Sequence, residues 1–193
     1  MNPVTHFFVG WSALERAQTN DRDRALVVLA GLAPDLDGLG IVIDFATRVL
    51  GMPATEYYQT LHRVYGHGLP AALVFAVLVS LFATKPARAA VYAFVAVHLH
   101  FICDILGSRG EGAEDIWGIS YLAPFSDALY VDWSGQWPLV SWQNTVITAA
   151  LVGWILWRAL STGYTPLRLV SKRGDDTLVA TLRTRFRRLP PGN

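Results

Sequence analysis

Apolar stretches of helical length, separated by short polar breaks, make up most of this chain. Glycine and proline cluster in the breaks, and the alternation of apolar and polar residues typical of strands is missing. We therefore predict an all-α fold, a helical bundle. The stretches predicted as helices are 4–17, 25–33, 39–50, 69–84, 87–106 and 140–160, with one more helix opened by Pro53.

Three of these stretches are candidates to cross or enter a bilayer: 69–84, 87–106 and 140–160. Only 16% of the residues are charged and the mean hydropathy is +0.32, whereas a soluble domain is usually closer to a quarter charged. We predict about three transmembrane or membrane-embedded helices, with the lipid bilayer as a partner. The alternative is a soluble bundle that packs the same apolar faces internally.

The positions of the basic residues predict an orientation. If the turn at 85–88 is cytoplasmic, thirteen of the sixteen lysines and arginines lie inside, and the exceptions are Arg48, Arg63 and Arg109. The expected protein is multi-pass, with a cytoplasmic C-terminus. We expect residues 1–163 to form the membrane-embedded domain. Residues 164–193 would form a basic tail whose short amphipathic helix presents Leu178, Val179, Leu182 and Phe186 as one stripe.

Composition excludes several other classes of protein. Cys103 is the single cysteine, so neither an internal disulfide nor a zinc site built from cysteines is possible within the chain. The formal net charge of +1 gives no bulk basic character, and no nucleic-acid partner is expected. The composition leaves the oligomeric state open.

One apolar stretch contains the first candidate chemistry. In "VAVHLHFICDIL", His100 and Asp104 are four residues apart and share a helix face, whereas His98 points roughly the opposite way. A core histidine bonded to a carboxylate is the alternative to a ligand pair. In the predicted orientation, however, the chain's other unusual polar residues fall at the same end of the bundle. Histidines and aspartates that converge in this way predict a metal site with nitrogen and oxygen ligands, drawn from His6, Asp35, Asp37, His62, His67, His100 and Asp104.

Each part of this set also has a simpler interpretation. "PDLD" at a helix end is also typical of a turn or cap. His62 and His67 are five residues apart, which is not one helical face, so both can bind only if Gly66 bends the chain.

The motifs "THFFVGW", "LAPDLDG", "HRVYGHG", "HLHFICDILG" and "GISYLAPFS" resemble, in this order, the bacterial membrane-bound metal-dependent hydrolases, a family also labelled LexA-regulated hydrolases of the inner membrane. The family is thought distantly similar to zinc-dependent phospholipase C. The resemblance implies a divalent metal, zinc, as one or two ions. The sequence of this chain departs from the family pattern at Gly38, where many members have histidine. It also departs at Val64 and at "GHG". The metal-site residues that the resemblance implies are His6, Asp35, His62, His67, His100 and Asp104, with Asp37 beside them.

The expected function is therefore a membrane-bound metal-dependent hydrolase with its site at the outer face. The expected substrate is a phosphoester such as a lipid headgroup, or another small-molecule ester. Asp104 is the catalytic candidate that orients a metal-activated water, and Arg63 is a second one that grips a phosphate or carboxylate. Arg109 and Tyr121 are the substrate-binding candidates. The alternative is a non-catalytic membrane protein with a structural or sensing metal site.

Overall fold

The computed structural model describes residues 1–17, 20–62 and 64–186, which are mostly helical. The α-helices in these ranges are α1 Pro3–Leu14, α2 Asp21–Ala30, α3 Gly40–Val49, α4 Tyr57–Leu61, α5 Leu69–Phe82, α6 Pro86–Gly107, α7 Trp142–Thr162 and α8 Lys172–Phe186. Two 3₁₀ segments, Ala33–Leu39 and Pro166–Leu169, join helices. A small antiparallel pair, β1 Ile119–Ser120 and β2 Tyr130–Val131, lies between α6 and α7. The predicted all-α bundle is confirmed.

Polar side chains determine where helices α1 and α7 begin. Asn2 accepts a hydrogen bond from the backbone N–H of Thr5 at 2.9 Å, and this caps α1. Ser141 caps α7 in the same way. Such caps satisfy amide groups that the first helical turn leaves unpaired. Because α1 begins directly after Asn2, His6 lies near the start of the helix and is buried.

Helix α6 is the centre of the bundle. It packs against α1, α2 and α5, and α7 packs against α1. Ala89, Ala93 and Ala96 of α6 are fully or almost fully buried, because small side chains allow neighbouring helix backbones to approach closely. The central position of α6 places His100 and Asp104, near its C-terminal end, inside the bundle.

Among the described residues, two helices are long and apolar enough to cross a membrane, α6 with 22 residues and α7 with 21. The predicted span at 69–84 forms α5, whose 14 residues extend only about 21 Å, less than the bilayer's apolar core of about 30 Å. A third span is reached only if α2 and the helical stretch Ala33–Val49 count as one, although the chain bends by 50° between them. The described residues therefore contain two or three candidate spans, which agrees with the predicted number, although the possible third candidate is not the predicted stretch 69–84.

The helix predicted from Pro53 forms over only five residues, Tyr57–Leu61. Asp44 explains its late start: the carboxylate accepts hydrogen bonds from the backbone N–H groups of Tyr57 and Tyr58, at 2.9 and 2.8 Å. It also accepts one from the Thr55 hydroxyl at 2.7 Å, which holds the preceding residues outside the helix. The α3 face that carries Asp44 is therefore joined to α4.

The C-terminal helix α8 lies against the bundle. Asp175 is fully buried and accepts hydrogen bonds from the backbone N–H and the hydroxyl of Thr165. Of the predicted apolar stripe, only Val179 is buried, and Phe186 is 67% exposed, so the stripe does not pack as one face. The domain boundary after residue 163 stays a prediction.

Candidate metal centre

The predicted histidines and aspartates come together at one end of the bundle. They form three overlapping groups whose ligand atoms lie within 4.8 Å of one another inside each group. His100 belongs to two of the groups and His67 also belongs to two. The groups are His6, His100 and Asp104; Asp35, His67 and His100; and Asp37, His62 and His67.

Four parts of the chain supply these side chains. His6 comes from the start of α1, and Asp35 and Asp37 come from the 3₁₀ segment Ala33–Leu39. His62 and His67 lie between α4 and α5. His100 and Asp104, one helical turn apart, complete the centre from α6. The structure therefore brings all seven predicted residues together.

The buried Asp104 carboxylate lies at the middle of the centre. Its Oδ1 atom is 3.1 Å from Nε2 of His6, and its Oδ2 atom is 3.3 Å from Nε2 of His67 and 3.2 Å from Nε2 of His100. The rings of His6 and His100 stack with their centroids 3.8 Å apart. Three imidazole nitrogens thus share one carboxylate in a site closed to solvent on this side.

The outer ring nitrogens are held by acceptors. Nδ1 of His100 donates to the carbonyl oxygen of Gly31 at 2.9 Å, and Nδ1 of His67 donates to Asp37 at 3.0 Å. A histidine that donates through Nδ1 is left, when neutral, with a lone pair on Nε2. These two partners therefore direct the Nε2 lone pairs toward the interior of the centre, as the second shell of a metal site does.

His67 is electrostatically coupled to the carboxylates beside it. Burial lowers the pKa of His67, but hydrogen bonds to Asp104 and Asp37 and the charges of these two carboxylates raise it by more. The net pKa lies above the ordinary value of 6.5. The two carboxylates therefore favour positive charge at this position.

Two glycines allow the chain to approach Asp37 closely. A Cβ atom at Gly66 would lie 2.4 Å from the carbonyl oxygen of Pro34, and the N–H of Gly66 donates to Asp37 at 2.9 Å. A Cβ atom at Gly38 would lie 3.1 Å from Nδ1 of His62, which donates to Asp37 at 2.8 Å. Asp37 therefore contacts both His62 and His67, although their spacing of five residues is not that of one helix face.

The donor set fits a divalent transition metal. It consists of imidazole nitrogens and carboxylate oxygens, which are ligands of zinc and related ions. Two buried polar atoms, Nδ1 of His6 and Oδ2 of Asp35, have no hydrogen-bond partner among the described residues. Buried polar atoms are normally paired, so unpaired ones within this cluster are consistent with ligands of a bound cation.

A pocket of about 380 Å³ lies beside the centre. Asp35, His62 and Asp104 reach it from the cluster, and Arg109 lines the same pocket. The Nε atom of Arg109 is buried and makes no hydrogen bond with the part of the chain that the structure describes. The remaining lining residues are Met1, Asn2, Pro3, Gly38, Leu39, Tyr58, Ser108, Gly110, Trp117 and Leu139.

Of the two other predicted site residues, only Tyr121 can be placed. Arg63 lies outside the residues that the structure describes. Tyr121 does not line the pocket; its hydroxyl group is 3.0 Å from Nε2 of His98, whose Nδ1 donates to the carbonyl oxygen of Phe94. His98 is therefore committed to hydrogen bonds outside the cluster.

Sequence reasoning missed several groups that support Asp104. The Ser108 hydroxyl donates to Asp104 at 2.7 Å, and the amino group of Met1 also contacts this carboxylate. Gln136 is buried and donates to the backbone carbonyl oxygens of Asp104 and Trp117, at 2.8 and 3.0 Å. A serine four residues after Asp104 is a usable sequence signal, whereas a single glutamine in a loop is not.

No curated protein and no solved structure matches this chain. The family model described as YdjM inner membrane protein matches residues 1–174, a range that includes both candidate spanning helices and all seven candidate metal ligands. This match confirms the predicted membrane location, while hydrolysis and likeness to phospholipase C stay predictions. Because the match covers most of the 193 residues, the chain belongs to the YdjM inner membrane protein family.

Proposed function

We propose that this membrane protein is a metal-dependent hydrolase that cleaves a phosphoester, such as that of a lipid headgroup. The observation that carries the proposal is the set of three overlapping histidine and aspartate groups at the edge of an open pocket. A metal-dependent hydrolase needs both a metal centre and space beside it for substrate and water.

One or two divalent ions, zinc first among them, would be held by the three groups. Such an ion lowers the pKa of a bound water molecule and polarises the oxygen of an ester or phosphoryl group. Asp104 is the central carboxylate, and the Gly31 carbonyl and Asp37 keep His100 and His67 in the orientation that binding requires.

Arg109 is the residue that binds the anionic part of the substrate. Arg109 lines the same pocket as Asp35 and His62, and its buried Nε–H donates to no acceptor among the described residues. A planar guanidinium group matches phosphate and carboxylate oxygens, so an anionic ester held there would have its reacting end toward the cluster. Tyr121 does not line this pocket, and its hydroxyl faces His98, so its role in substrate binding stays a prediction.

The proposed location follows the distribution of charge. Thirteen of sixteen basic residues fall on the cytoplasmic side of the expected multi-pass orientation, which leaves the metal centre at the outer face of the inner membrane. The substrates within reach at that face are lipid headgroups and other phosphoesters of the cell envelope.

The test is elemental analysis followed by an ester panel. Protein purified in detergent without a chelator, then loaded with zinc or manganese, is assayed on lipid, nucleotide and generic phosphoesters and on carboxyl esters. We expect stoichiometric metal and metal-dependent turnover that Asp104→Asn abolishes. The matched control is Asp132→Asn, because Asp132 is exposed. Stoichiometric metal without turnover of any ester would overturn the hydrolase proposal.

A structural or sensing metal is the second candidate, and one observation favours it. His6, His100 and Asp104 are all buried, as expected of a closed site that holds helices together. The group formed by Asp37, His62 and His67 is less buried, and His62 lines the pocket. If none of the esters is hydrolysed, the buried group of His6, His100 and Asp104 is where a non-catalytic ion would be retained.

A further inference from the structure

Helix α3 has an apolar face that no described part of the chain covers. Ile41, Val42, Phe45 and Val49 lie on one side of this helix and each is more than half exposed. The opposite side carries Asp44, whose carboxylate is bonded to residues 55–58. Helix α3 is therefore amphipathic, with its polar side joined to the protein and its apolar side facing outward.

The position of α3 relates this apolar face to the membrane. Helix α6 ends at Gly107 and α7 begins at Trp142, so the two spanning helices meet the membrane boundary at the same end of the bundle. The backbone connects these ends, because the N–H of Leu139 donates to the carbonyl oxygen of Arg109 at 2.8 Å. The metal centre and the 3₁₀ segment that leads into α3 are at this end too.

The pocket lies between these two apolar surfaces. Leu39, directly before α3, and Leu139, shortly before α7, both line it, and both are about half exposed. Beyond Leu139 come Val140 and Trp142, which are 93% and 72% exposed. An exposed tryptophan at the start of a spanning helix is typical of the headgroup region of a bilayer. The pocket is thus lined by one exposed leucine that leads into α3 and by another that leads into α7.

We infer that the apolar face of α3 contacts lipid in the headgroup region of the leaflet at the metal-site end. The pocket then opens sideways to that leaflet, between Leu39 and Leu139. The occupant of the apolar face is lipid, because an amphipathic helix at this depth buries its apolar side among acyl chains and keeps its polar side toward the protein and water. The inferred position of the α3 face does not depend on whether the protein is a hydrolase. Its consequence, that substrate enters from the leaflet rather than from water, rests on the proposed function.

Nitroxide labels on single cysteines test the depth of α3. In a Cys103→Ala background, labels at Phe45 and Val49 are compared in vesicles of phosphatidylethanolamine and phosphatidylglycerol. A label at Val146, exposed on α7, is the lipid reference, and a label at Gln59, exposed on α4, is the aqueous one. We expect collision with oxygen, relative to a water-soluble nickel complex, to be several-fold higher at positions 45 and 49 than at 59.

Two results would overturn the inference for α3. Labels at positions 45 and 49 that read like Gln59 would place the helix in water. Labels shielded from both reagents, with spin–spin coupling between molecules, would show that a second copy covers the face. Val42→Cys repeats the measurement on the same face if a variant fails to fold.

Labels at Leu39 and Leu139 test the sideways opening. We expect both to read like the lipid reference, whereas aqueous values there with lipid values at Phe45 would overturn lateral entry and leave α3 in the leaflet. None of these readings needs metal or turnover. Failure of this inference and failure of the proposed hydrolysis are therefore separate results.

Discussion

Nε2 of His67 lies 3.1 Å from Nε2 of His100, and both atoms face the same oxygen of Asp104. The Nδ1 atoms of both rings donate outward, to Asp37 and to the Gly31 carbonyl. Two neutral rings in this arrangement would point their lone pairs at each other. A proton or a metal ion between them would remove this repulsion, so the arrangement favours a cation at this point.

The first prediction concerns metal affinity and stability. Asp104→Asn removes the central negative charge, and we expect it to weaken zinc binding by at least about 100-fold. Zinc at about 100 times its dissociation constant should stabilise the wild type by about 2.7 kcal/mol, and the variant by much less. Thermal unfolding in detergent, with and without zinc, measures both effects.

Asp132→Asn makes the same chemical change at an exposed position and should behave as the wild type does. Equal stabilisation by zinc in the wild type and in Asp104→Asn would show that the ion binds elsewhere.

The second prediction is a pH dependence with opposite signs in the two states. The pKa of His67 is raised in the folded, metal-free protein, so its contribution to stability is complete below the unfolded value of 6.5 and is lost as pH rises through the folded pKa. In zinc the ligands must release their protons, and affinity rises over the same range. Melting curves in chelator and in zinc, from below pH 6.5 upward, measure the two trends.

His67→Gln isolates this contribution, because glutamine keeps a polar side chain but does not titrate. The difference between wild type and variant in chelator should shrink as pH rises. A difference that is constant with pH would contradict the assigned coupling to Asp37 and Asp104.

The third prediction concerns Arg109 and rests on the proposed hydrolysis. Arg109→Gln should raise KM for an anionic ester about 10–100-fold, which is what the loss of a hydrogen bond to a charged group costs. Metal content should not change, because Arg109 lines the pocket and is not among the ligand groups. Steady-state kinetics on metal-loaded protein measure this KM. Arg88→Gln, on an exposed arginine at the opposite end of α6, should leave KM unchanged.

The seven ligand candidates could be predicted because their geometry is mostly local. A spacing of four places His100 and Asp104 on one helix face, and the predicted direction of each helix puts the other polar residues at the same end. His62 and His67 were harder, since their contact with Asp37 depends on close approach at Gly66 and Gly38.

The missed features depend on contacts between distant residues. Nothing in the run after Pro53 indicates that Asp44 delays α4 until Tyr57. The bond from His100 to the Gly31 carbonyl joins residues 69 positions apart, and it exists only because α2 packs on α6. The amino-acid sequence does not indicate which backbone carbonyl accepts this hydrogen bond.

The fourth prediction is the orientation in the membrane. With thirteen basic residues expected inside and three outside, a reporter fused after Asn193 should read cytoplasmic, and one inserted near Glu114 should read exported. Paired phosphatase and fluorescent-protein fusions measure this. The reverse pattern would put the metal centre on the cytoplasmic side. Release of the protein by an alkaline carbonate wash would contradict membrane integration.

The fifth prediction is that Gln136 holds the wall of the pocket in place. Its side chain donates to the carbonyl oxygens of Asp104, Ile105 and Trp117, and it accepts from the N–H of Trp117 at 2.8 Å. Gln136→Leu keeps a similar volume but leaves these buried groups without this partner, at a cost of about 1–3 kcal/mol. We expect amide exchange to accelerate at Trp117 and in the segment around it, while the part of α6 that precedes Asp104 stays protected.

Hydrogen exchange with peptide-level readout measures this local effect, and thermal unfolding measures the total. Gln59→Leu is the matched control, because Gln59 is exposed and the same substitution there removes no buried hydrogen bond. Metal affinity should fall only slightly in Gln136→Leu, since the glutamine contacts the backbone of Asp104 and not its carboxylate. Exchange at Trp117 as slow as in the wild type would show that Gln136 is not what fixes this wall.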